Sequence, residues 1–291
     1  MNAAQVTSFV NDGYLIVPGL VTPAELEELK QDTVALARGA YPCPQLQPLP
    51  ATMSDDEVLQ NILCIHQAHF VSPVMLKYVK HPGICAVLSR ITAAHLAHWD
   101  GRVKCMQSML FVKPPGFQGQ AWHQDEVYIP TRDRSLIGAW IAIDDATIPN
   151  GCLWVVPGSH RTGYLFPQKA HDNPDEFDFS QESYGFDEKA EVPVEVKAGT
   201  VVFFNGYLLH RSRKNRSQIY RRVLVNHYMN AWSLLPWKYT PGVAMAMQDV
   251  REIVPVTGED PYAWKGVTNP PRNVWLRSCT ANAEKLAAEK K

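Results

Sequence analysis

The chain has 291 residues, 46% of them hydrophobic, and a formal net charge of −1. Such a chain can bury a core of ample size, and so small a charge exerts no long-range pull on nucleic acid or an anionic membrane. No apolar run approaches the roughly 20 residues that span a bilayer, and Met1 to Gln5 has neither the basic start nor the apolar block of a signal peptide, so the expectation is a cytoplasmic protein with a small-molecule partner.

Six cysteines, at 43, 64, 85, 105, 152 and 279, form no Cys-x-x-Cys pair and read as reduced, mostly buried thiols. Thr22-Pro23-Ala24-Glu25 is a capping box with proline at the first helical position. It predicts a helix to about Arg38, with Leu26, Leu29, Thr33 and Leu36 or Ala37 inward and Gly39 as the stop. The proline-rich stretch from Ala40 to Met53 reads as irregular. Ser54-Asp55-Asp56-Glu57 opens a second helix in the same way, with Val58, Ile62 and Ile65 on one side. Ser72-Pro73 and His81-Pro82 start two more, Val74 to Lys80 and Gly83 to about His95. His66, His69, His81, His95 and His98 fall in this half without a shared helical spacing, and they read as surface and helix-end residues rather than a metal site.

The β half begins at Val103 to Val112, where period two puts Cys105, Gln107, Met109 and Phe111 on one face. Lys113-Pro114-Pro115-Gly116 ends that strand. In Ala121-Trp122-His123-Gln124-Asp125-Glu126-Val127-Tyr128, a strand would project His123 and Asp125 the same way, as two ligands for one metal ion. A His-x-Asp tripeptide also fits an ordinary surface strand. The surrounding pattern favours an antiparallel region: Leu136 to Ile143 reads as a further strand, and Asn150-Gly151 as a hairpin turn into Cys152 to Val156. His210 ends the apolar run that starts at Val201 and supplies a third ligand. Two histidines and a carboxylate on one face of an octahedron leave three positions free, as in non-haem iron oxygenases.

From Asp172 to Glu191 there are eight acids against one lysine. Such a run is a solvated loop or, with Phe177, Phe179, Tyr184 and Phe186 embedded, a lid. Arg211, Arg213 and Arg216 read as a solvated turn. Tyr220 to Tyr228 then returns as a strand, in which alternation puts Arg221 and Arg222 on opposite faces. A guanidinium inside the barrel would grip a carboxylate in two parallel hydrogen bonds. From Asn230 onward the chain carries Trp232, Trp237, Trp264 and Trp275 and no catalytic motif. It reads as a wrap around the barrel or an oligomer contact, with a solvated last helix from Ala281 to Lys290; nothing in the chain specifies an oligomeric state.

His123-Gln124-Asp125, Gly138-Ala139-Trp140-Ile141-Ala142, the run from Asn150-Gly151 to Pro157-Gly158-Ser159-His160, and His210 followed eleven residues later by Arg221 together resemble the phytanoyl-CoA dioxygenase (PhyH-like) family of iron(II)/2-oxoglutarate oxygenases. Phe9 to Gly19 resembles the opening of the family, and the similarity fades after about residue 235. The resemblance implies a mainly β fold with flanking helices: a double-stranded β-helix, or jelly roll, cupin-like. One catalytic domain would cover 1–291, with a mostly helical part over 1–100, the jelly-roll core over 101–230 and the C-terminal wrap over 231–291.

The resemblance further implies Fe(II), with 2-oxoglutarate and O2 as co-substrates, held by His123, Asp125 and His210 at the catalytic centre. Arg221 and Ser212 would bind the remote carboxylate of 2-oxoglutarate, and Gln107, Met109 and Trp140 would line its pocket, although Met109 and Trp140 read equally well as plain core. The implied reaction is hydroxylation of a C–H bond with release of succinate and CO2. Related halogenases lack the carboxylate ligand, so Asp125 argues against halogenation. The competing class is a jelly-roll metalloprotein without 2-oxoglutarate turnover, either a hydrolase or isomerase using zinc or manganese or an inactive binding protein, and neither needs Arg221. Gln124, Glu126, Tyr128, Arg132, Arg134 and Arg161 lie close enough in sequence to line the substrate pocket, and their mixed charges select no substrate class.

Overall fold

The computed structural model describes residues 1–43, 46, 48–60, 62–234, 241–242, 252–265 and 274–278. Trp237, Cys279 and the helix expected from Ala281 to Lys290 lie outside the described residues. Capping chemistry sets the helices. Asn2 and Gln5 close a capping box on α1 (Ala3–Asp12), and Gly13, at φ 82°, ends it and turns the chain into β1 (Tyr14–Val17). Thr22 and Glu25 cap α2 (Pro23–Ala37), whose Leu26, Leu29, Thr33, Leu36 and Ala37 are buried as the spacing predicts. The Ser54–Glu57 box opens α3 (Asp55–Leu59), but this helix stops after five residues. Ile62 and Ile65 belong instead to a strand, β2 (Ile62–His66), buried along its whole length and paired with the chain around Leu110. Non-local pairing of this apolar, β-branched stretch outweighs the helical spacing. α4 (Pro73–Val79) and α5 (Pro82–Ile91) follow, capped by Ser72 and His81.

The larger sheet runs in the order β1, β10 (Val201–Asn205), β5 (Ile137–Ala142), β12 (Val223–Asn230), β3 (Val103–Phe111), β2 and β14 (Trp275–Ser278), with β13 (Val254–Thr257) also on β3. The smaller sheet is β4 (Gln120–His123), β11 (His210–Ser212), β6 (Leu153–Val155) and β9 (Val192–Val194), and β7 (Gln168–Ala170) pairs with β8 (Gln181–Ser183) as a separate ribbon. All these pairings are antiparallel. Two facing antiparallel sheets with helices on the outer side of one give the jelly roll that was expected. Its strands are not confined to residues 101–230, however. β1 and β2 come from the part expected to be helical, and β13 and β14 come from the C-terminal part, so that ladder groups which a bare sheet edge would leave open are paired.

Period-two alternation in the larger sheet divides two cores. Ala139, Ile141, Val201, Phe203 and Leu224 face the helices, while Trp140, Ala142, Val202, Phe204, Val223 and Val225 face the space between the sheets. In β3 the alternation is interrupted, because the register against β12 jumps from Gln107 to Cys105 across one extra residue, Met106. Cys105 therefore packs with the helix-side core, whereas Met109 and Phe111 pack on the inner one; the shared face expected for Cys105 and Gln107 is broken by this bulge.

Three other expectations are corrected. Asn150-Gly151 makes a turn, with Asn150 Oδ1 accepting from Thr147 N at 2.8 Å, but β5 and β6 are not partners and the turn carries the chain from one sheet to the other. β10 ends at Asn205, and His210 opens β11 in the other sheet instead of ending an apolar strand. His66 and His69 are buried rather than superficial: His66 stacks on Trp275 with ring centroids 3.6 Å apart, and His69 Nδ1 lies 2.7 Å from Ser108 Oγ. The Pro157-Gly158-Ser159-His160 motif docks α1, with Gly158 N donating to Asp12 O at 2.8 Å and His160 Nε2 to Val10 O at 3.0 Å. Among the described residues, no helix is long and apolar enough to cross a membrane.

Candidate metal centre

β4 and β11 are neighbours in the smaller sheet, and their register sets His123 directly opposite His210, with ring centroids 4.1 Å apart. Each ring places Nδ1 against a carbonyl two residues upstream, His123 on Ala121 O at 2.8 Å and His210 on Leu208 O at 2.9 Å. A proton on Nδ1 leaves the Nε2 lone pair of both rings free to ligate. Phe204 packs against His210 with centroids 4.7 Å apart. It does so across Gly138, where a Cβ would fall 2.4 Å from the Phe204 ring.

Asp125 reaches the same point by a different route from the one expected. β4 ends at His123, and Asp125 opens a short 3-10 turn, Asp125–Val127, so His123 and Asp125 do not share a strand face. The turn brings Asp125 Oδ1 to 3.7 Å from His123 Nε2 and 3.7 Å from His210 Nε2. One ligand atom from each of the three buried residues lies within 4.8 Å of the others, the one such group among the described residues. Burial pushes His123 down to about 3, which keeps it a neutral ligand. Burial pushes Asp125 the other way, but the His210 and His227 imidazoles outweigh it and hold this carboxyl well below the usual range. Two imidazole nitrogens and a carboxylate form a donor set that suits non-haem iron.

Two further residues at the site were not picked out from the sequence. His227 Nε2 lies 3.0 Å from Asp125 Oδ2. Counting in twos from Arg221 along the strand reaches it. Lys113, read only as a strand stop, is 2% exposed, at φ 36°, with Nζ against the carbonyls of Gly151 and Arg213 and 3.3 Å from Ser212 Oγ. Burial and then the Arg221 guanidinium lower its pKa far below the ordinary lysine value. A lysine before two prolines in a turn normally reads as solvated, so no local signal points inward.

The inner face carries the residues named for the co-substrate. Trp140, Val225 and Met109 form one cross-strand row, and Gly138, His227 and Gln107 the next. Arg221 precedes β12 rather than lying within it, is 4% exposed, and holds its guanidinium 5.7 Å from the Trp140 ring centroid. Its Nε has no hydrogen-bond partner among the described residues, and burial lowers its pKa to about 10, so it remains a cation at neutral pH. Arg222 points the other way and pairs with Asp144 through Nε to Oδ2 and Nη2 to Oδ1, both at 2.8 Å.

Of the residues considered for the substrate pocket, Tyr128 alone makes a ring contact with a ligand, its centroid 6.4 Å from that of His123. Gln124 bridges Tyr164, Phe166 and Tyr207 backbones. Glu126 Oε1 accepts from Thr131 N and Oγ1 at 2.5 Å, and burial raises this carboxyl to about 8. Arg132 and Arg161 are exposed, and Arg134 lies over the Tyr207 ring.

The acidic insertion and the basic turn pair with each other; Arg216 is exposed as expected, whereas Arg211 is buried. Glu191 accepts from Arg211 at 2.6 Å and Arg213 at 2.9 Å, Glu176 pairs with Arg216, and Asp178 pairs with Arg277 at 2.6 Å. Arg211 and Arg213 also lie over the Trp122 and Trp154 rings, at 4.4 and 4.8 Å. Phe177 is buried, and Phe186 meets Trp122 edge-on at 5.5 Å.

Known proteins give this geometry its context. The non-haem monooxygenase ThoJ superposes with a TM-score of 0.63 at 20% identity, over 98% of this chain and 92% of its own. The epimerase SnoN, solved with Fe3+, alpha ketoglutarate and nogalamycin RO, gives 0.60 at 21% identity over 89% and 91%. At such identity the likeness carries the fold, a double-stranded β-helix. Phytanoyl-CoA dioxygenase 1 of Oryza sativa is 35% identical over 179 residues, covering 59% of this chain and 60% of that protein. The Arabidopsis thaliana phytanoyl-CoA dioxygenase is 39% identical over 43% of this chain and 44% of its own length. The match thus spans less than two thirds of either relative. A probable phytanoyl-CoA dioxygenase of Caenorhabditis elegans is 28% identical over 79% and 76%. The model of the phytanoyl-CoA dioxygenase (PhyH) family matches residues 9–223, and with His123, Asp125 and His210 converging inside that span, the chain belongs to this family.

Proposed function

We propose that the chain is a single-domain, non-haem iron(II)- and 2-oxoglutarate-dependent dioxygenase that hydroxylates a C–H bond of a small molecule and releases succinate and CO2. The observation that carries this reading is the buried convergence of His123 Nε2, His210 Nε2 and Asp125 Oδ1, together with a buried Arg221 that lies over the Trp140 ring and has no ion pair among the described residues. The first three would hold iron, and the bound metal supplies the electron chemistry that joins co-substrate and O2.

The chain supplies position and dryness. The Nδ1 bonds to Ala121 and Leu208 fix both imidazole planes. Arg221 would take the remote carboxylate of 2-oxoglutarate in two parallel hydrogen bonds, with Ser212 as a hydroxyl partner. Trp140 and Met109 on the inner face would exclude water around it, and Gln107 would close the same pocket. Asp125 fills the third protein position, which favours hydroxylation over halide transfer. Solved relatives of the fold support the co-substrate and the substrate class: EctD from S. alaskensis was crystallised with 2-oxoglutarate and 5-hydroxyectoine.

The test is an anaerobic titration with iron(II) and 2-oxoglutarate, read by charge-transfer absorption, followed by aerobic succinate release with ascorbate across a metabolite panel. The wild-type protein should show both signals, and His210→Ala should lose both. Stoichiometric iron held by His210→Ala at wild-type affinity would sink the ligand assignment.

A further inference from the structure

The carboxylate of Asp125 has two oxygens in different surroundings. Oδ1 faces the two ligand imidazoles at 3.7 Å, and Oδ2 faces His227 Nε2 at 3.0 Å. Asp125 sits on a 3-10 turn and not on a strand, so no ladder fixes the direction of its side chain. His227, by contrast, lies in the middle of β12, paired on both sides with Gly138 and Gln107, and is 3% exposed. The bulge at Met106 lies immediately beside this row. A rigid donor on the larger sheet therefore meets a carboxylate carried by an irregular segment of the opposite wall. An ionised carboxylate only accepts, so Nε2 carries the proton of this bond. His227 Nδ1 is buried and has no hydrogen-bond partner among the described residues.

We propose that His227 is the positioning residue for Asp125: its Nε2–H occupies Oδ2 and leaves Oδ1 as the single oxygen offered to the metal. This rests on the iron reading above. The bond closes the barrel across the metal centre, since Asp125 follows a strand of the smaller sheet and His227 belongs to the larger. It also gives the carboxylate a fixed direction before any metal arrives. Outer partners of this kind typically change metal affinity by about 10- to 100-fold when removed.

Iron(II) titrated anaerobically into metal-free wild type, His227→Leu and His227→Gln, with 2-oxoglutarate present and melting temperatures measured alongside, tests this. His227→Leu should bind iron about 10- to 100-fold more weakly. His227→Gln places an amide donor where Nε2 was and should recover to within about threefold of wild type. At saturating iron, all three should bind 2-oxoglutarate alike, because Arg221 is untouched. Wild-type iron affinity in His227→Leu would overturn the positioning role while leaving the iron reading standing. So would equal weakness of both variants at unchanged melting temperature, since the ring and not the donor would then matter. A wild type that takes up no iron would overturn the iron reading first, and this inference with it.

Discussion

Glu126 follows a ligand directly in sequence, yet its carboxyl turns away to Thr131 and is 1% exposed. Burial raises its pKa from the ordinary 4.5 to about 8. The folded state then holds this proton more tightly than the unfolded chain does. The stability it contributes is full below about 4.5 and is lost as pH rises to about 8. In metal-free protein, the unfolding free energy of wild type should fall across that window by at most about 1.4 kcal/mol per pH unit, and Glu126→Gln should flatten the fall; chemical denaturation at pH 5, 6.5 and 8 measures it, and identical slopes would place the ionised carboxylate in the folded state. The two adjacent arginines give a second comparison. Arg221→Ala should weaken 2-oxoglutarate binding by at least about a hundredfold at unchanged iron affinity. Arg222→Ala should shift it by less than about fivefold and cost about 1 to 2 kcal/mol of stability through its lost Asp144 bonds. Charge-transfer titration of both variants compares them directly, and a crippled Arg222→Ala would reverse the assignment. Of the site, the three ligands were legible from the His-x-Asp spacing, the place of His210 after an apolar run, and the family resemblance that joins them. His227 and Lys113 were not, since their inward direction depends on strand register and on a positive φ that residue type does not signal.

At the scale of elements, local chemistry was readable and non-local pairing was not. Caps at Thr22, Ser54, Ser72 and His81 involve residues at most three apart, and each helix starts where its cap places it. The boundary of α3 was missed because β3 claims Ile65 and its neighbours as a ladder. The insertion was read as a solvated loop or a lid and the basic turn as solvated, each by itself, although their charges are complementary. Joined, they form a clamp: Arg211 is 8% exposed and takes both a carboxylate and the face of Trp122. Glu191→Ala should therefore cost about 2 kcal/mol, the scale of hydrogen bonds to charged groups, visible as a lower thermal midpoint. Deleting Asn173 to Gly185 removes Phe177 and the Glu176 and Asp178 pairs together, so the point substitution gives the cleaner reading of the clamp. An unchanged midpoint in Glu191→Ala would show that the arginines are held by their ring contacts alone.

Over the whole molecule, the strand-like runs between residue 103 and residue 228 were enough to read an antiparallel β region, and the two-sheet jelly roll was implied by the family resemblance. Sheet membership lay beyond these runs: nothing local says that Tyr14 pairs with Phe204 or that Trp275 pairs with His66. The strand that ties the scales together is β11. It is three residues long and paired on both edges, with β4 and β6. Its consecutive side chains, His210, Arg211 and Ser212, reach the metal centre, the insertion clamp and Lys113. In the language of amide exchange, these regions should then behave as one opening unit, because all three hang on side chains of the same short strand. Releasing the clamp with Glu191→Ala should speed exchange at Trp122 and His123 along with His210 to Ser212, and leave α2 unchanged. Faster exchange in the insertion alone would mean that the metal centre and its cover open separately.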